Sequence, residues 1–118
     1  MSFDEDIALD ADGNGAVAAC WETARGPHGG YVMAILAQAM ERAAQRPPRS
    51  LTVHFLRPPA VGPVQATATV ERAGRSLTTV AGRLEQDGKP VALGLGAFAD
   101  AYGGPEVGEI PMPDAAPP

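Results

Sequence analysis

The sequence predicts an α+β domain in which one antiparallel β-sheet wraps around one long helix. Three observations carry that expectation. A single amphipathic stretch follows Gly29-Gly30. Val32, Ile35, Leu36, Ala39, Met40 and Ala43 recur there at spacings of three and four, while Gln38, Glu41, Arg42 and Gln45 lie off that stripe. Runs of period-two alternation come after it, with an Asp-Gly turn between the last two. Fourteen glycines and twelve prolines against 5% aromatic residues favour short strands and tight turns over a helical bundle.

In chain order, residues 7–22 read as two short strands about Asp12-Gly13-Asn14-Gly15, whose residues tolerate positive φ, with the apolar run from Ala16 to Trp21 after the turn. A loop from Arg25 to Gly30 leads into the helix. Pro47-Pro48 should stop the helix near Gln45, because proline lacks the N–H and the residue before it avoids the α region. Leu51, Val53 and Phe55 then alternate with Thr52 and His54, and Val64, Ala66, Ala68 and Val70 alternate with Gln65, Thr67, Thr69 and Glu71. Each strand thus has one face to bury. The intervening Arg57-Pro58-Pro59-Ala60-Val61-Gly62-Pro63 is too proline-rich for a central strand. Ser76 to Gln86, the turn at Asp87-Gly88 and Pro90 to Ala99 complete the pattern. The last strand is apolar on both faces: Val91, Leu93, Leu95, Ala97 and Ala99 on one, Ala92, Gly94, Gly96 and Phe98 on the other. It should be central or pack against another subunit. One domain is expected over residues 1–101, with the Pro/Gly-rich 102–118 a linker or tail. A single layer of sheet covers only part of a helix's surroundings, so a second copy or second domain should close the core.

Composition excludes several function classes. No apolar run approaches the roughly 20 residues of a bilayer span, and Met-Ser-Phe-Asp-Glu-Asp is acidic where a secretory leader is basic, so a cytoplasmic protein with no membrane partner is expected. Cys20 is the single cysteine and lies beside Ala18, Ala19 and Trp21, which suggests a buried, inert thiol. With two histidines at unrelated spacings it forms no metal site. Neither a Gly-x-Ser-x-Gly elbow nor a phosphate loop is present, and no cofactor is expected. The net charge of −5 disfavours nucleic acid as a partner. All nine basic residues lie between Arg25 and Lys89 against four acids, so the middle of the chain is locally positive. Arg42, Arg46 and Arg49 cluster at the helix's C-terminal end, where they complement its dipole or offer potential for a phosphate-bearing ligand.

The helix start is the leading candidate site. Glycines at 29 and 30 admit close approach, and the first helical N–H groups have no partner inside the helix, so those of Gly30 and Tyr31 are candidates to polarise a carbonyl. His28 either binds a ligand or orients water, or is a structural residue packed at the start of the helix. Glu41 falls too far along the helix to act there. His54 alternates with Val53 and Phe55 and points away from their face, and Met33 and Met40 either fill core gaps or line an acyl tunnel.

These residues resemble the N-terminal half of the double-hotdog acyl-CoA thioesterases, the thioesterase II group and its actinobacterial relatives. Gly26-Pro27-His28-Gly29-Gly30-Tyr31 is similar to the opening of that fold's central helix. Arg49-Ser50-Leu51-Thr52-Val53-His54-Phe55-Leu56-Arg57-Pro58 resembles the strand after it. Gly74-Arg75-Ser76-Leu77-Thr78-Thr79, Gln86-Asp87-Gly88-Lys89 and Ala97-Phe98 resemble later parts, so the likeness spans roughly residues 15 to 100. It implies a hotdog fold, acyl-CoA as the ligand, and hydrolysis by water activated on an aspartate, a threonine or serine, and a glutamine, without metal or covalent intermediate. Those groups belong to the C-terminal hotdog of the family. Laid onto this half, Ser50 stands at the aspartate and Gly96 at the glutamine, and neither is a carboxylate base. Single-hotdog relatives that begin their helix with His-Gly-Gly carry an acid on it, where this chain has Ala37 with Gln38 beside it.

Two functions remain open from sequence. In one, the chain is half of an acyl-CoA thioesterase whose catalytic groups lie in a second hotdog, its own catalytic candidates being only His28 and Ser50. Gly29, Gly30, Tyr31, Arg42, Arg46, Arg49, Arg75 and Ser76 would bind substrate. In the other, it is a non-catalytic hotdog for assembly or acyl-ligand binding. Either way, a second hotdog or a homo-oligomeric partner is expected.

Overall fold

In the computed structural model, which describes residues 2–24 and 26–101, a short helix α1 (Phe3–Asp6) and strand β1 (Asn14–Val17) precede the two-residue strands β2 (Glu22–Thr23) and β3 (Gly26–Pro27). The long helix α2 (Gly29–Ala44) follows, and then β4 (Pro48–Phe55), β5 (Gly62–Ala73), β6 (Thr78–Gln86) and β7 (Lys89–Phe98). The proposed tail, 102–118, lies outside the described residues. Five strands form one antiparallel sheet in the order β1-β5-β6-β7-β4, with α2 against one face.

The helix ends where proline predicts. Gln45 adopts the left-handed region, φ 55°, and its N–H closes on Glu41 O before Pro47-Pro48 starts β4. Val32, Ile35, Leu36 and Met40 are buried in the core with Val64, Ala66, Val80, Leu84, Ala92 and Phe98 from the sheet. The β6–β7 hairpin pairs Gln86 with Lys89, and Asp87 and Gly88 take φ 53° and 74°, as a two-residue type I′ turn requires.

One register pair sets how closely the helix sits. Gly82 and Gly94 face each other across β6 and β7 beneath α2. A Cβ on Gly82 would lie 2.6 Å from Met40 Sδ and 3.0 Å from Leu36 Cδ1, so side-chain-free backbone lets Met40 and Leu36 reach the sheet. The helix lies chiefly over β5 and β6. As a result, the helix-side residues of the edge strand β4 are incompletely covered: Leu51 and Val53 are half-buried and Phe55 is 52% exposed.

One expectation needs correction. Residues 7–22 form no local hairpin, since β1 pairs instead with β5. The Asp10 carboxylate accepts from the N–H of Asp12 and Asn14, both at 2.9 Å, and Arg42 donates to the carbonyls of Leu9 and Asp10 at 2.7 Å. Those groups are thereby diverted from a ladder. Bonds from the Asn14 and Asp12 backbone, offset in part by lost hydration and helped by the Arg42 charge, hold the Asp10 carboxyl below its ordinary pKa. Strand β7 is interior, flanked by β6 and β4, yet on the face away from the helix Leu93 and Leu95 remain exposed.

Candidate functional site at the start of the long helix

His28 caps α2. Its Nδ1 accepts from Gly30 N at 3.1 Å, its backbone N–H donates to Trp21 O at 2.8 Å, and its carbonyl accepts the first helical bond, from Val32 N. Accepting at Nδ1 places the proton of the neutral ring on Nε2. The ring lies over Gly30, where a Cβ would come within 3.1 Å of His28 Cε1, which accounts for glycine there. The donor inventory is therefore narrower than the sequence implies. Gly30 N–H is occupied by the cap, and Tyr31 is 1% exposed and faces inward. Gly29 is exposed, and its N–H has no acceptor among the described residues.

Beside Gly29 lies a groove of about 310 Å³ lined by Pro27, Gly29, Val32, Phe55, Leu56, Arg57, Pro58 and Pro59. The Phe55 ring forms one wall, 3.7 Å from where a Cβ of Gly29 would stand. The proline-rich wall is fastened at both ends. The N–H groups of Leu56 and Arg57 reach Val91 O, and Gln86 binds the far end: Oε1 accepts from Ala60 N at 2.8 Å while Nε2 donates to Ala60 O at 2.8 Å and Pro63 O at 3.2 Å. The sequence reading missed Phe55, Arg57 and Gln86; a proline run directly after an apolar strand end was the available signal.

Of the sequence candidates, Gly29 lines this groove, His28 and Gly30 are its chain neighbours, and the others lie apart. Arg42, Arg46, Arg49, Ser50, Arg75 and Ser76 gather near the other end of α2, whose 16 residues span roughly 22 Å between first and last Cα. Three of these side chains are engaged with the protein's own backbone. Arg42 holds the carbonyls of Leu9 and Asp10. Arg46 donates to Gly74 O, Arg75 O and Thr78 Oγ1 at 3.2 Å each and lies 3.5 Å from Asp100, and Arg49 donates to Ala99 O. A depression of about 570 Å³ there, between Gln38, Glu41, Arg42, Gln45, Arg46 and Pro47, is larger than the groove. It is open relief on the outer helix face, with its arginines turned to carbonyls. Ser50 pairs with Ala97 on the sheet face away from the helix.

Tyr31 ties the N-terminus to the core. Its hydroxyl accepts from Ala18 N at 2.9 Å and donates toward Asp6 O at 2.9 Å, with Ala16 O at 3.2 Å, and its ring stacks on Trp21. Burial pushes the Tyr31 pKa up, and the Ala18 N–H opposes that rise. Cys20 is exposed rather than buried, because it sits on a 3-10 turn, with Sγ 3.4 Å from Asp6 Oδ2. Partial loss of hydration around its sulfur, then the Asp6 carboxylate, push the thiol pKa up, so it is a poor nucleophile.

Residues 17–99 match the family model described as the acyl-CoA thioesterase N-terminal domain. The chain belongs to that family. Its hotdog fold is shared with a conserved protein of unknown function from Alicyclobacillus acidocaldarius, at 31% identity and TM-score 0.84 over 100% of this chain and 47% of that one. A Thermobifida fusca protein named as a candidate thioesterase II aligns at 24% identity and TM-score 0.84, over 98% of this chain and 46% of its own. A Bacillus halodurans protein solved with CoA aligns at 20% identity and TM-score 0.71, over 77% and 72%. At those identities the last two speak for the fold. This hotdog chain thus spans about half the length of the first two structures. Among curated proteins, none matches it. No helix among the described residues is long and apolar enough to cross a membrane.

Proposed function

We infer that the chain is the N-terminal hotdog of an acyl-CoA thioesterase of the double-hotdog, thioesterase II type. It supplies an acyl groove and a helix-start donor, and a second hotdog supplies the base. The observation that carries this is the groove at Gly29: walls that are apolar apart from Arg57, the N–H of exposed Gly29 at the positive end of α2, and no carboxylate among its lining residues. Thioester hydrolysis needs a donor where negative charge develops on the carbonyl oxygen and a base to activate water. The first fits Gly29; the second has no candidate among the described lining residues, and Ala37 occupies the helix position at which single-hotdog relatives place an acid.

Support for the second hotdog comes from β4, an edge strand with an unpaired side whose helix-face residues Leu51, Val53 and Phe55 are incompletely covered. A neighbouring domain paired along that edge would cover them. Fold relatives about twice this chain's length agree with such a partner. The missing base also favours the second reading, a non-catalytic acyl-binding module.

The deciding experiment is release of CoA thiol from octanoyl-CoA by the chain joined to its second hotdog, wild type against Gly29→Val, which fills the groove beside Phe55. Hydrolysis by the wild type and at least tenfold loss in the variant are expected. A joined protein that releases no thiol would overturn the thioesterase reading in favour of the binding module.

A further inference from the structure

The groove carries a charge that the reaction described above does not use. Arg57 lines it together with Val32, Phe55 and Leu56. Its side chain is exposed and has no hydrogen-bond or ion-pair partner among the described residues, unlike those of Arg42, Arg46 and Arg49. Its backbone is not free to wander: the N–H groups of Leu56 and Arg57 share Val91 O, and Gln86 fastens the loop beyond Pro59. No acidic residue lines the groove to neutralise the guanidinium.

We propose that this groove binds an aliphatic carboxylate, its chain against Val32, Phe55 and Leu56 and its carboxylate on the Arg57 guanidinium. Arginine presents a planar fork of donors that matches a carboxylate with two parallel bonds. At about 310 Å³ the groove is at the small end of ligand pockets, which run from roughly 300 to 1,000 Å³, so it holds one short segment of a ligand. Cation and apolar walls share that small space, so the anion must be attached directly to the chain it accompanies. A fatty acid meets this condition. In a CoA thioester the pantetheine arm separates the acyl chain from the phosphates, so a phosphate on Arg57 would leave the apolar walls without acyl chain. The ligand is of the class that thioester hydrolysis releases, and to that extent the inference deepens the function proposed above. It concerns binding, however, and a chain that hydrolyses nothing retains the site.

The test is titration of the ¹⁵N-labelled chain with octanoate and with 1-octanol, which has the same chain length and no charge, below the concentration at which either aggregates. Saturable amide shifts at Gly29, Val32 and Phe55 are expected, with octanoate binding at least fivefold tighter than octanol. Arg57→Gln should bring the two ligands within twofold of each other, and Phe55→Ala should weaken both alike. Three results would each overturn the proposal: equal binding of the two ligands by the wild type, retention of the octanoate preference by Arg57→Gln, or shifts confined to the exposed Leu93 and Leu95 face. Tight octanoate binding by a protein without hydrolysis would remove the thioesterase reading and leave this site intact.

Discussion

Replacing Tyr31 by phenylalanine separates a structural role from a ligand role at the helix start. The hydroxyl is the only part removed, so the ring keeps its stack on Trp21, with centroids 5.3 Å apart. What is lost is the bond from Ala18 N at 2.9 Å and the bond to Asp6 O at 2.9 Å, all around a residue 1% exposed. A buried donor or acceptor left without a partner costs about 1–3 kcal/mol. Because the partner groups here are only part-buried, the bottom of that range applies, about 1 kcal/mol for each of the two and near 2 kcal/mol in total. At about 4–8 °C per kcal/mol for a domain of this size, the melting temperature should fall by roughly 8–16 °C. The alkaline limb should change as well. The folded-state pKa of Tyr31 is raised above its ordinary value of 10, so the tyrosine's contribution is fully present below pH 10 and is lost as pH rises through the folded pKa. The Tyr31→Phe variant has no hydroxyl to titrate and would show no such component. Circular dichroism melts across the alkaline range measure both effects, and octanoate titration should give an affinity within twofold of wild type. A variant that melts within about 1 °C of wild type but loses ligand affinity tenfold would refute the structural role, since it would place the hydroxyl in the groove.

Other substitutions probe the packing and the cap. Gly82→Ala should cost about 1–3 kcal/mol in urea unfolding through overpacking against Met40. Paired with Met40→Ala it should cost less than the sum of the two single changes, because the residues share one space. His28→Ala should lose about 1 kcal/mol, the usual worth of a side-chain cap on a helix N-terminus, and raise hydrogen-exchange rates over the first turn of α2. Gln86→Ala should release the loop at Ala60 and Pro63, seen as faster amide exchange at Ala60, and weaken octanoate binding several-fold with the sheet unchanged by circular dichroism.

Much of the fold was legible because its signals are local. The α2 stripe, its proline stop and the Asp87-Gly88 turn each depend on residues within a few positions of one another, and all three appear where expected. The N-terminal segment was not legible for the opposite reason. Whether Leu9 and Asp10 join a strand depends on Arg42, more than thirty residues away, which takes their carbonyls. The arginine cluster follows the same logic: charge pattern placed Arg42, Arg46 and Arg49 together but not their partners, which for Arg49 is Ala99, 50 residues on. Phe55 looked buried from alternation, and it is on the helix-facing side of the sheet. Its exposure follows from where α2 lies, over β5 and β6 rather than β4, which no alternation pattern encodes. Of the candidate site, the start of the helix was readable from the glycine pair; the groove wall and Arg57 were not, because the 57–63 loop takes its place through Val91 and Gln86.

The central claim is that this hotdog holds half of a thioester site, a groove and a donor without a base. It is tested most directly by single-turnover thiol release from octanoyl-CoA with the 118-residue chain, in excess, as the sole protein. The account predicts binding at the groove with release no faster than in buffer. Release at rates of about 1 s⁻¹ or above, within the range of ordinary enzymes, would show that the chain carries its own base and would contradict the account.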